Sequence, residues 1–345
     1  MSRKSALVIA PGRGTYNKEE LGYLARHHGD KRDLIAGFDA LRRASGETPV
    51  SELDGATIYS AARFTRGDNA SALIYSCAYS DYMSIDQQLF DIVGITGNSM
   101  GWYVAMACAG VLTADAGFEL VNTTGRLMHD SMIGGQILYP VVDENWVEVP
   151  GRRAALMQMI DDTDGLYLSI DLGGMIVFAG TEAALETATA RLDPLQGRFP
   201  MRLKNHAGFH APLQQPVAEQ AQSALAHLSL QQPHSPLIDG RGALWQPPLS
   251  DLAALWRYTL GRQIVTPYDF TRALRNALRE LAPDVVIILG PGTTLGGAVA
   301  QTLIASDWHG LGNKYDFSAR QDADPLILSM GIAAQRDIVT GDKHG

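Results

Sequence analysis

Little in this sequence points to metal, membrane or nucleic acid. Only two cysteines occur, Cys77 and Cys108. Both lie in apolar stretches of helical spacing, so the expectation is two buried free thiols in a reducing cytoplasm, with no disulfide. No metal site is suggested. No run of about 18 apolar residues is present to span a bilayer. Met1-Ser2-Arg3-Lys4 leads only into a short strand-like segment, 6–10, too brief for the core of a signal peptide. A net charge of -9 without a basic cluster argues against nucleic acid, whose phosphates demand concentrated Lys and Arg. Internal repeats and low-complexity segments are also lacking. What is there is 46% hydrophobic and 19% charged with 35 glycines, the balance of an α/β enzyme rich in tight turns. At 345 residues, one large domain with a smaller insertion, or two domains, is expected.

Along the chain, 6–10 reads as a buried strand entering the loop Pro11-Gly12-Arg13-Gly14. Helical spacing follows over 17–28, 31–43, 69–89 and 113–128, alternating with strands around what should be a parallel sheet. From 136 the texture changes. Strand character over 136–142 and 146–149 is followed by a helix over 152–162 and a hairpin of 165–171 with 175–180. A helix over 181–192 and a strand at 202–204 complete the unit. That β-α-β-β-α-β order is the ferredoxin-like arrangement. Beyond it, helices are expected over 211–228, 249–258 and 267–281, with strands at 236–238 and 284–289. The tail after Trp308 is expected to end in a loose terminus.

The chemistry concentrates at Gly97-Asn98-Ser99-Met100-Gly101. This segment sits between the apolar run Ile92-Val93-Gly94-Ile95 and the small-residue helix that begins at Trp102. A serine at a strand-to-helix turn is held in a tight backbone conformation that lifts its hydroxyl clear of the sheet, and a Cβ at either flanking glycine would clash. The following helix aims free N–H groups at the same spot, where they can bind an oxyanion. Such a serine needs a base. Among nine histidines, His210 stands out, in a loop after a strand and just before a helix, within Phe209-His210-Ala211-Pro212-Leu213.

With these motifs in order, the chain resembles the malonyl-CoA:acyl carrier protein transacylase family and the related acyltransferase domains of polyketide synthases. The family opens with a strand and Pro-Gly-Gln-Gly, here Pro11-Gly12-Arg13-Gly14. Its nucleophile motif Gly-His-Ser-Leu-Gly-Glu-Tyr is Gly97-Asn98-Ser99-Met100-Gly101-Trp102-Tyr103 here. Val177-Phe178-Ala179-Gly180, the His210 loop, Pro267-Tyr268-Asp269-Phe270 and Leu289-Gly290-Pro291-Gly292 match further family stretches. The resemblance implies an α/β-hydrolase-like core with a parallel sheet over 1–131 and 205–345, with the ferredoxin-like subdomain inserted at 132–204. It implies Ser99 as nucleophile and His210 as base, with the backbone amides of Met100 and Arg13 as oxyanion hole. In the family a backbone carbonyl orients the histidine, and the matching stretch is Asp239-Gly240. The implied activity is acyl transfer from coenzyme A to an acyl carrier protein through a Ser99 ester. No cofactor is permanently bound, acyl-CoA is the substrate, and the protein is expected to be a cytoplasmic monomer.

The chain departs from the family where the acyl group should sit. Malonyl-handling members carry an arginine on the helix after the elbow, and Thr124 stands there. Arg126 is two positions away, turned by roughly 200° toward the opposite helix face. Met175 replaces a glutamine, Asn69 replaces another, Asn98 replaces a histidine and Trp102 a glutamate. With Phe209 these are the expected substrate-binding residues. A buried carboxylate without a partner costs several kcal/mol, so poor use of malonyl groups and preference for uncharged acyl groups is expected. Two alternatives are an acyl-thioester hydrolase on the same scaffold and a malonyl transferase that uses Arg13 or Arg126. An idle interaction module is disfavoured by Ser99 and His210 together.

Overall fold

Ala6, Leu7, Val8, Ile9 and Ala10 have no exposed surface, as a parallel strand covered on both faces requires. In the computed structural model, which describes residues 3–341, they form most of β1 at the middle of a sheet. That sheet consists of β1 (Lys4–Ala10), β2 (Phe90–Gly97), β7 (Leu237–Ile238), β8 (Leu244–Trp245), β10 (Val285–Ile288) and β11 (Ile327–Ser329). Its order is β11-β10-β1-β2-β7-β8, parallel throughout except for the antiparallel edge pair β7–β8. The parallel core read from the alternation of strands and helices is therefore present.

The second sheet is built from β3 (Gly135–Pro140), β4 (Leu166–Leu172), β5 (Met175–Gly180), β6 (Met201–Arg202) and β9 (Tyr268–Asp269). Its order is β6-β3-β5-β4-β9. The first four strands, with helices Arg152–Asp161 and Glu182–Arg191 between them, follow the ferredoxin-like pattern. β9 comes from outside that unit and pairs parallel with β4. A separate small core of Ile137, Tyr139, Leu156, Ile176, Phe178 and Leu185 lies under this sheet.

Two helices frame the elbow. Gly67–Tyr82 is buried along nearly its whole length, which its small residues Ala70, Ser71, Ala72 and Ala78 permit. Ala114–Ser131 packs on it and is capped by Thr113, whose hydroxyl accepts the Ala116 amide.

Several elements differ from expectation. Helix 69–89 stops at Tyr82, and 17–28 is broken by Gly22 at φ 77 into a 3-10 turn and the short helix Tyr23–His27. Residues 146–149 make only an isolated bridge from Val142 to Glu148. The 211–228 helix is a 3-10 turn followed by Gln215–Ala224, because Pro212 and Pro216 restart the chain. Helix 249–258 shrinks to Leu252–Arg257 and runs into a π-turn, Tyr258–Arg262. Helix 267–281 starts only at Phe270, since Tyr268 and Asp269 are drawn into β9 and the Asp269 carboxylate caps the helix. The tail after Trp308 is structured: helix Lys314–Ala323, β11 at the sheet edge, then helix Ala333–Thr340. Of this tail, residues 342–345, where the loose terminus was expected, lie outside the described residues. Both cysteines are free and buried. Among the described residues no helix is long and apolar enough to cross a membrane.

Candidate active site

β2 ends at Gly97 and helix Gly101–Cys108 begins four residues later, leaving Ser99 on the turn with φ 56. A left-handed backbone at a non-glycine residue costs on the order of 1–3 kcal/mol and marks a held conformation. Both neighbouring glycines are required by close approach. A Cβ on Gly97 would overlap the Gly101 carbonyl, and one on Gly101 would overlap the Ala10 carbonyl. The glycine-rich loop after β1 packs on the same turn, with the ideal Cβ of Gly12 only 2.8 Å from the Asn98 carbonyl.

Ser99 Oγ lies 2.7 Å from His210 Nε2. On the far side of the ring, Nδ1 is 2.7 Å from the backbone carbonyl of Gln263. A carbonyl only accepts, so Nδ1 carries the hydrogen, Nε2 holds a lone pair, and the serine hydroxyl donates to it. Burial lowers the His210 pKa to about 4, opposed by the bond to the Gln263 carbonyl. The imidazole is thus neutral and able to take a proton at pH 7.

Gln263 is also tied by its side chain: Nε2–H donates to the Ser99 carbonyl at 3.0 Å, and the Tyr103 hydroxyl donates to Oε1 at 2.8 Å. One residue therefore fixes both members of the pair. Its position directly after the π-turn Tyr258–Arg262 is where such turns recur, at functional sites. This corrects the expectation for Asp239 and Gly240. The Asp239 carboxylate is consumed by Arg241 and by Trp245 Nε1–H, while the Gly240 amide donates to the Tyr258 hydroxyl and its carbonyl accepts the Asp269 amide. Neither orients His210.

The cleft beside Ser99 has a volume of about 20 Å³, room for about one water. Arg13, Met100, Thr124 and Phe209 line it, as do Ser71, Tyr103, Gly125 and Met128. Among the described residues, no backbone hydrogen bond uses the N–H of Met100 or Arg13. Thr124 faces the cleft with its hydroxyl bonded back to the Leu120 carbonyl at 2.8 Å, so it brings no charge. Arg126 does not line it.

Four expected substrate-binding residues lie elsewhere. Asn69 is held by Arg42 at 2.8 Å and by the Arg63 carbonyl at 3.0 Å. Trp102 is wholly buried, with Nε1–H on Thr259 Oγ1 at 3.0 Å and its ring edge-on to Tyr258. Met175 pairs with Pro140 and Leu172 and packs on the small core of the second sheet. Asn98 supports the loop at Gly12 without lining the cleft.

Ser71 went unnoticed in the sequence because a serine on a small-residue helix has no distinguishing pattern. It is 1% exposed and its hydroxyl has no partner. The Arg13 guanidinium lies over the Phe209 ring at 5.1 Å, and Nη2 donates to the carbonyls of Thr65 and Asn205. Its Nε is buried without a partner. Burial lowers Arg13 to about 10, so it stays charged at neutral pH. A larger groove of about 680 Å³ between the second sheet and helix Phe270–Leu281 contains neither Ser99 nor His210.

No family model matches the chain. Among curated proteins it is 25% identical over 209 residues to the malonyl CoA-acyl carrier protein transacylase of Haemophilus influenzae, covering 59% of this chain and 63% of that protein. It is 28% identical over 215 residues to a phenolphthiocerol synthesis polyketide synthase of Mycobacterium marinum, covering 62% of this chain and 10% of that one. Among solved structures it matches the malonyl-CoA:acyl carrier protein transacylase of Xanthomonas oryzae with a TM-score of 0.75 at 19% identity, covering 99% of both chains. Motifs and curated relatives point to the same family, and the solved structures share its fold.

Proposed function

We propose that this chain, a relative of the malonyl-CoA:acyl carrier protein transacylases, moves an acyl group between thioesters through an ester on Ser99. The observation that carries the reading is the hydrogen-bonded line from Ser99 Oγ through His210 to the Gln263 carbonyl, 2.7 Å at each step. The Ser99 oxygen attacks the thioester carbonyl carbon while its proton passes to His210 Nε2. The amides of Met100 and Arg13 receive the oxyanion. As the carbon–sulfur bond breaks, His210 returns the proton to the leaving thiol. A second thiol, on the pantetheine arm of an acyl carrier protein, reverses these steps. Ping-pong kinetics follow. The reading needs no bound cofactor and places a monomer in the cytoplasm with acyl-CoA and a carrier protein as partners.

The acyl group divides two readings. An uncharged group follows from Thr124, which leaves the helix Ala114–Ser131 without a cation at the cleft. A carboxylated group follows from Arg13, and a specific observation favours it. The Arg13 guanidinium lines the cleft with Nε unpartnered, and Asp68, whose charge acts on it, is paired with Arg66. A buried cation without a counter-ion is costly, and a substrate carboxylate would supply one.

The test is to mix the enzyme with a holo carrier protein and a panel of acyl-CoAs and to weigh both proteins. Acylated carrier supports transfer. Free acid alone would instead indicate a hydrolase, and no product from any donor would refute both.

A further inference from the structure

The half-buried His206 and the buried Gln136 and Ser169, all outside the reacting pair, form a line that ends at the peptide bond just before His210. His206 Nδ1 is 2.9 Å from Gln136 Oε1, Gln136 Nε2 is 2.7 Å from Ser169 Oγ, and Ser169 Oγ is 2.8 Å from the Phe209 carbonyl. The direction of the line is forced. The Phe209 carbonyl only accepts, so the single hydrogen of Ser169 goes to it. Ser169 must then accept from the Gln136 amide, which turns Gln136 Oε1 toward His206, and His206 Nδ1 carries the hydrogen. Gln136 is 1% exposed and Ser169 is fully buried, so water supplies no substitute.

Local structure sets these side chains. Gln136 is on β3, opposite Ala179. Ser169 falls where the pairing of β4 with β5 slips between Leu168 and Ile170, leaving it without a cross-strand partner. A bulge of this kind re-aims a side chain, and bulges recur next to active sites. His210 itself has φ 54, so its backbone is strained and persists only when its surroundings over-determine it. The Ile133 carbonyl adds a second hold on this loop by accepting the Gly208 amide at 2.8 Å.

We propose that Gln136 and Ser169 are positioning residues: from the second sheet they clamp the Phe209–His210 peptide, and with it the direction in which the His210 imidazole meets Ser99. The proposal rests on the reading of His210 as base. A displacement of about 1 Å at a reacting group can cost on the order of a hundredfold in rate. Ser169→Ala and Gln136→Leu should therefore lower the rate of Ser99 acylation by roughly ten- to a hundredfold per active site. KM for acyl-CoA should stay within about twofold, because neither residue lines the cleft.

The experiment measures single-turnover acylation with acetyl-CoA and malonyl-CoA, normalised to the fraction of folded enzyme from its unfolding transition. His210→Gln and Ser169→Thr are run in parallel. Ser169→Thr keeps the hydroxyl and should retain most of the rate. A residue with only a structural role would lower the folded fraction and leave the normalised rate unchanged, and that result overturns the proposal. If Ser169→Ala does not fold, Gln136→Leu and Ser169→Thr decide by the same normalised rate. If His210→Gln keeps full activity, the reading of the base fails and the clamp fails with it. If His210→Gln is inactive while Ser169→Ala and Gln136→Leu acylate normally, only the clamp fails.

Discussion

His210 gives its Nδ1 hydrogen to the backbone carbonyl of Gln263, 2.7 Å away, and to no carboxylate. Asp239, the acid of the expected orienting stretch, is buried in bonds to Arg241 and Trp245. Removing the aspartate of a Ser-His-Asp triad costs about 10⁴ in kcat. Asp239→Asn should instead keep the acylation rate per folded molecule within about threefold, read from single-turnover kinetics. A loss approaching the triad value would put Asp239 into the mechanism.

The acid limb of the reaction should lie far below that of a free imidazole. His210 accepts a proton only when neutral, and burial holds its pKa at about 4. Acylation should stay at its pH 7 rate to about one unit above that value and fall to half near it, whereas an unperturbed histidine would lose half near 6.5. The same shift acts on stability. Between about 6.5 and 4 the unfolded chain binds a proton that the folded His210 does not, so stability declines as pH falls through that window. Rates are therefore read in brief pH jumps, and a midpoint near 6.5 would contradict the burial of His210.

Ser99 and His210 were legible because each obeys a local backbone demand. Glycines at 97 and 101 with a strand before and a helix after leave few other conformations, and His210 sits where Pro212 restarts the chain. Gln263 was not legible. It acts through a backbone carbonyl, which every residue carries, and it is placed by a π-turn with no side-chain signature. Asn69 misled because its partner Arg42 lies on another helix, so the bond that takes it out of the cleft is invisible locally. β8 and β9 are two residues each, too short for any periodicity, while the three apolar-rich residues of β11 were lost in a polar tail.

Two single substitutions separate the acyl readings. If Arg13 holds a carboxylate, Arg13→Gln should slow acylation by malonyl-CoA at least about thirtyfold, since losing one partner of a buried charge pair costs 2–5 kcal/mol. Acetyl-CoA should change by less than about threefold. If the pocket takes uncharged groups, Arg13→Gln leaves the ratio unchanged and Thr124→Arg raises malonyl use. Steady-state competition between the two donors reads both.

Arg42 carries stability without chemistry. It is fully buried and donates to Asn69, Asn122 and the carbonyls of Thr48 and Asp68, with Glu47 at 3.8 Å. Arg42→Leu takes the cation from Glu47 and the donor from Oδ1 of Asn69 and of Asn122, and should cost about 3–5 kcal/mol in urea unfolding. A loss under about 1 kcal/mol would mean that water replaces the guanidinium.

The central claim is an ester on Ser99, and intact mass spectrometry of acid-quenched enzyme tests it most directly. After seconds with acyl-CoA, the wild type should gain the mass of one acyl group, mapped by proteolysis to the peptide containing Ser99, and Ser99→Ala should gain none. An adduct that survives in Ser99→Ala, or a wild type that stays unmodified with every donor, would contradict it.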